Sequence, residues 1–174
     1  MNNTKDAPGI LRRAVTSGTI SGLATALTAS VAGKLEDGSF AAPLNATSHV
    51  LWGDKAARKD KASLKYTLTG FLLNHASAIF WALFYEKFFG SRGGTAHAAA
   101  RRPAPEKSLT RPLVGAAVVT AGAYITDYYL IPKRLTPGFE KRLSGKSLAA
   151  IFVTLAVGLA ICDLVDASKE RLDR

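Results

Sequence analysis

The chain alternates between long stretches free of Asp, Glu, Lys and Arg and short stretches crowded with them. A helix rises about 1.5 Å per residue, so about 20 apolar residues cross about 30 Å of hydrocarbon. Four windows reach that length, at residues 14–33, 66–85, 112–132 and 147–165. The first lies between Arg13 and Lys34 and carries no charge; Val15, Ile20, Leu23, Leu27 and Val31 supply its bulk, and Gly, Ala, Ser and Thr fill the rest. The second, between Lys65 and Glu86, is uncharged and holds Phe71, Leu72, Leu73, Ile79, Phe80, Trp81 and Phe84. The third opens on Pro112, which suits a first helical turn, and contains one acid, Asp127; the fourth contains Asp163 near its end. A helix in water keeps a charged face, and these windows have none. The pattern therefore predicts an all-α chain, a four-helix transmembrane bundle forming a single integral membrane domain over residues 1–174. A lesser reading takes Arg12, Arg13 and the first window as a signal peptide with a cleavage site at Ser30-Val31-Ala32; its apolar region is poor for that role, with no Phe and two Leu.

The connections differ in kind. Residues 34–65 begin with a turn, continue through an apolar stretch and end in a charged one; with Pro43 near its start, residues 43–52 predict a short interfacial or re-entrant helix. Residues 90–111, rich in Gly, Ala and Pro, predict a flexible loop. Residues 133–146 predict a short basic hairpin turning at Thr136-Pro137-Gly138, and residues 166–174 a charged helix end. Trp52, Tyr66, Tyr85, Phe88, Phe89, Tyr128 and Tyr129 fall near span ends, where amphipathic rings anchor to the interface.

Charge adds a partner. Lys and Arg number 23 against 13 Asp and Glu, a formal net charge of +10. The basic residues collect at the edges of the apolar windows rather than on one folded face, which points to a lipid bilayer as partner and away from nucleic acid. Twelve Lys and Arg fall on the side of the termini and eleven on the other, so the positive-inside rule leaves orientation undecided. Arg12 and Arg13, abutting the first span, tilt the reading towards termini in the cytoplasm. Cys162 is the single cysteine, which rules out an intramolecular disulfide and a cysteine-based metal site; inside an apolar run it reads as a packing residue.

Candidate chemistry is sparse. Asn74 and His75 lie at the middle of the second span, where polar groups are costly and turn to the bundle interior. With antiparallel spans, residue 75 lies about 15 Å and Asp127 about 22 Å from the second connection, a gap of about 7 Å that tilt and side-chain reach can close. Asn74, His75 and Asp127 are thus candidates for a ligand site or proton relay, since imidazole changes charge near neutral pH. The plainer reading is interhelical hydrogen bonding worth about 0.6 kcal/mol per pair. Asp163 falls near Glu86 and is expected to reach the interface. Gly18, Gly22, Ala26 and Ser30 recur every fourth residue and predict a helix-packing seam, either inside the bundle or between copies in a homo-oligomer. His49, Trp52 and Asp54 read as interfacial anchors. Haem would need a second histidine at the depth of His75, and there is none, so no cofactor and no metal are expected. No catalytic signature is present. Asn45-Ala46-Thr47 and Asn2-Asn3-Thr4 match the glycosylation sequon, a short pattern expected by chance.

The segments from Pro43-Leu44-Asn45-Ala46-Thr47 through His49-Val50-Leu51-Trp52-Gly53-Asp54, and from Thr69-Gly70-Phe71 through Asn74-His75-Ala76 to Phe80-Trp81, with Tyr85-Glu86-Lys87 after them, resemble uncharacterised small four-helix bacterial inner-membrane proteins. The resemblance implies the bacterial cytoplasmic membrane and transfers no functional residue. Two expectations follow: a non-enzymatic membrane component or accessory subunit, with a membrane-protein partner or a second copy, or a small transporter or channel using Asn74, His75 and Asp127.

Overall fold

The computed structural model describes residues 7–90 and 109–172. Six α-helices appear in chain order, with no strand among the described residues: α1 Ala7–Asp37, α2 Ala42–Thr47, α3 His49–Trp52, α4 Thr69–Phe88, α5 Thr110–Ile125 and α6 Gly145–Leu172. Single π-helical turns, Leu64–Leu68 and Thr126–Leu130, lead into α4 and out of α5. Four segments are long and apolar enough to cross a membrane: Gly9–Asp37, Leu64–Phe88, Thr110–Leu130 and Gly145–Lys169. Each contains most of its sequence-predicted window and extends it into flanking charged residues. The expected flexible loop at 90–111 lies mostly outside the described residues; the second span ends at Phe88, Gly90 is the last described residue after it, and residues 110–111 already belong to α5. The chain is an all-α four-helix bundle of the multi-pass membrane type.

α1 is the central pillar, packed along α4 on one side and α6 on the other, while α5 packs mainly on α6 and touches α4 more lightly. Its faces are sorted against the rule for water. Leu23 and Leu27 point outward at 51% and 66% exposure, whereas Ser17 and Ser21 are fully buried. In hydrocarbon this arrangement is favourable: outward Val, Ile and Leu meet lipid, and small inward residues let backbones approach. The inward hydroxyls are satisfied within their own helix, Ser17 donating to the Arg13 carbonyl (2.9 Å), Ser21 to Ser17 (2.8 Å) and Thr25 to Ser21 (2.8 Å). The small-residue seam closes inside the bundle. A Cβ at Gly18 would stand 2.6 Å from the Ile79 Cα, and one at Gly22 would stand 3.1 Å from the His75 Cα, so both glycines receive α4. Ala26 is buried and Ser30 half-buried on the same helix.

Two apolar cores result. One, towards the termini, joins Ala14, Ala82, Tyr85, Ala116, Leu155 and Leu159 from all four spans. The other, at the opposite end, joins Ala29 and Leu44 to Phe139, Leu143 and Ile151. The short helix expected at residues 43–52 is present as α2 and α3, but α2 is wholly buried as a plug rather than laid on the interface. Gly33 and Gly70 admit it: a Cβ on Gly70 would lie 1.7 Å from the Leu44 carbonyl oxygen. The hairpin at 133–146 is built from two 3-10 turns, Lys133–Leu135 and Phe139–Lys141, hinged at Gly138, whose φ of 83° favours glycine.

Candidate functional site

Asn74 and His75 both turn towards α1, as cost at mid-bilayer demands. Asn74 Nδ2 donates to the Gly22 carbonyl (2.9 Å) and to Thr25 Oγ1 (3.2 Å). His75 Nε2 lies 3.4 Å from Thr19 Oγ1, and its ring stacks on Phe71 with centroids 5.7 Å apart. Its Nδ1 is buried with no hydrogen-bond partner, in the notch left by the missing side chain of Gly22.

The structure separates two of the three expected partners. No hydrogen bond or ion pair joins His75 to Asp127 among the described residues. Asp127 instead lines a cavity of about 230 Å³ between α4, the turn after α5, and α6, with residues 135–139 and Thr25, Thr47 and Val50 also on its wall. Asn74 borders the same cavity and His75 does not. Residues 74 and 127 line one space, whereas His75, adjacent to Asn74 in sequence, projects about 100° away from it on the helix, so the imidazole is directed away from the cavity.

A second polar centre escaped the sequence reading. Arg13 does not flank the bundle; it is buried within it, donating from Nε to Glu86 Oε2 (3.1 Å), from Nη1 to Asp166 Oδ2 (2.7 Å) and from Nη2 to Asp163 Oδ1. Tyr85 Oη donates to the other oxygen of Asp163 (2.8 Å). Glu86 Oε1 is buried and without a hydrogen-bond partner. Two expectations are thereby corrected. Asp163 is enclosed rather than at the interface, and Tyr85 is a fully buried donor rather than a member of the interfacial belt. The signal was available: in an up-and-down bundle, the residue just before the first span, the residue just after the second and an acid near the end of the fourth share one depth. A guanidinium holds three carboxylates there because its fork offers five donors in fixed directions.

The remaining candidates are structural. His49 is buried, with Nδ1 2.8 Å from the Ala46 carbonyl and Nε2 3.4 Å from that of Lys133, so it ties α3 to the hairpin. Trp52 carries Lys65 Nζ 4.6 Å above its ring. Asp54 accepts from Lys141 (2.6 Å), a bond that holds its exposed carboxyl below the usual range. Asn45 of the sequon is buried, donating to the carbonyls of Lys59 and Lys61 and accepting from Thr67, which leaves no room for a glycan; Asn2-Asn3-Thr4 lies outside the described residues. Cys162 is half-buried beside Arg13 and Ile161, and no cluster of three metal-ligating side chains occurs among the described residues. No family model, curated protein or solved structure matches the chain, so the site is read from its own geometry.

Proposed function

We propose that the chain is a non-enzymatic multi-pass component of a bacterial cytoplasmic membrane, an accessory or scaffold subunit. The observation that carries this reading is the pinning of α1 at both ends. Arg13 fastens it to α4 and α6 at one end. At the other, Asp37 accepts from Arg142, and Glu36 accepts from the Ser144 N–H (2.7 Å), the Ser144 hydroxyl (2.7 Å) and the Ser147 hydroxyl (2.5 Å) at the start of α6. A pillar held in this way favours a rigid part over one that rocks between two access states. The bacterial membrane is supported by the sequence resemblance. Purification in native nanodiscs followed by mass measurement of the intact assembly tests the reading: a fixed stoichiometry with another membrane protein or with a second copy is expected, and a lone chain with enzymatic turnover of lipid would overturn it.

A second reading, a small transporter or channel, is favoured by the cavity shared by Asn74 and Asp127. Its test is proton flux into liposomes followed with an entrapped pH dye. Flux that is lost in Asp127→Asn while the protein still melts cooperatively supports this reading over the first; parent flux no greater than that of empty liposomes removes it.

A further inference from the structure

Asp127 is the one charged side chain lining the cavity among the described residues. It sits on the π-helical turn Thr126–Leu130, a local widening of the helix of the kind that recurs at functional sites. It makes no hydrogen bond and no ion pair among the described residues, unlike the carboxylates of the Arg13 cluster. Glu140, which accepts from Thr136 Oγ1 (2.7 Å) at the cavity wall, adds a second negative charge to the neighbourhood. The rest of the lining is mostly apolar, with Leu73, Trp81, Phe152 and Leu155 prominent. Asn74 is already committed to Gly22 and Thr25.

A carboxylate facing an apolar chamber without a donor is expensive, and the chamber has its own answer to what would relieve it. A metal ion needs several oxygen ligands, and Asp127 is a single carboxylate in the lining. A single cationic group attached to an apolar body satisfies both the charge and the walls. Cavities of about 150 Å³ accept a benzene ring, so about 230 Å³ takes one ring with a short cationic extension. Trp81 offers an aromatic face for the same charge or for the ring.

We propose that this cavity binds a small lipophilic organic cation, its charge against Asp127 and its apolar body against Trp81, Phe152 and Leu155. The binding goes beyond the scaffold reading and does not require that the ligand be moved. Occupancy would bridge α4 to the turn after α5 and to α6, the two neighbours that α4 touches more lightly than it touches α1.

The chain has two tryptophans, Trp52 and Trp81, so Trp52→Phe leaves Trp81 as the sole indole reporter. In that background, purified in detergent, the single-ring cation 1-methylpyridinium is titrated against indole fluorescence, because pyridinium rings quench indole on contact. Saturable quenching is expected, with affinity about tenfold weaker in Asp127→Asn, a difference of about 1.4 kcal/mol. Asp127→Glu keeps the charge and is expected to retain saturable binding. Toluene, the uncharged isostere, is expected to compete at least about tenfold less well on the unaltered carboxylate, a comparison that needs no variant to fold. Quenching that never saturates, equal affinity for the charged and uncharged probes, or full affinity in a folded Asp127→Asn protein would each overturn the proposal.

Discussion

At one end of the bundle Arg13 binds Glu86, Asp163 and Asp166; at the other Arg142 binds Asp37 and Asp60 and donates to the Ala57 carbonyl (3.0 Å). The chemistry is the same, one guanidinium gathering carboxylates from distant parts of the chain. The surroundings differ. The side chains of Glu86 and Asp163 are 0% and 5% exposed, with Asp166 at the rim at 44%, while Asp37 and Asp60 are 34% and 64% exposed. Buried partners cannot turn to water when the arginine is removed, so each stranded charge bears its full desolvation penalty. Exposed partners rehydrate, and salt screens what attraction remains. Burial therefore makes the ion pairs obligatory at the Arg13 end, whereas at the Arg142 end they are supplementary and close fit holds the plug.

The largest effect is expected for Arg13→Leu, a loss of about 3–5 kcal/mol, read as a large fall in the melting temperature in detergent. Adding Glu86→Gln and Asp163→Asn to that variant removes the stranded charges and should restore much of the loss. A single Arg13→Leu variant that melts like the parent would show that the cluster does not hold the helices. Next in size is Gly70→Ala, which places a methyl group against the Leu44 carbonyl and should cost about 1–3 kcal/mol in the same measurement. That effect tests whether steric fit, rather than charge, secures the plug end. Arg142→Leu should cost about 1 kcal/mol or less, and the difference from parent should shrink between low salt and 1 M salt. The Arg13→Leu effect, being buried, should not shrink.

The smallest expected effect concerns Lys141→Met and depends on pH. The hydrogen bond from Lys141, with its charge, holds the Asp54 carboxyl below its ordinary value. A carboxyl whose folded value is lowered contributes stability above its unfolded value of about 3.9 and loses it as pH falls through the lower folded value. The difference between parent and Lys141→Met should therefore be present at pH 7 and fade as pH falls below about 3.9 and on through the lower folded value. A difference that persists unchanged in acid would assign Lys141 a role other than pairing with Asp54.

Much of the fold was legible because the span signal is one-dimensional. A window of about 20 residues either carries charge or does not, and hydrocarbon enforces the consequence without reference to the rest of the chain. The Gly18 and Gly22 spacing was legible for the same reason, since both fall on one face of one helix. The candidate site was legible only in part. The depth estimate paired His75 with Asp127, yet it is Asn74 that shares the cavity with Asp127, because the direction of the His75 ring depends on the notch at Gly22 and the stacking of Phe71. The Arg13 cluster draws on α1, α4 and α6, with Glu86 73 residues and Asp163 150 residues away in sequence, so its members looked like independent flanking charges. Tyr85 was misread likewise: an aromatic at a span end anchors to headgroups unless a buried carboxylate claims its hydroxyl.

The order of residues along the chain was enough to give four helices long and apolar enough to span and, once inserted, an antiparallel succession. Those outcomes follow from helix rise, the thickness of hydrocarbon and the covalent connections, all of which act along the chain. Tertiary structure alone decided which charges are enclosed, that α2 becomes a plug, and that Asp127 faces a cavity while His75 faces α1. Those outcomes depend on how far each helix is rotated about its own axis and how closely its neighbours approach, and that is fixed only when the small residues of α1 meet α4 and α6.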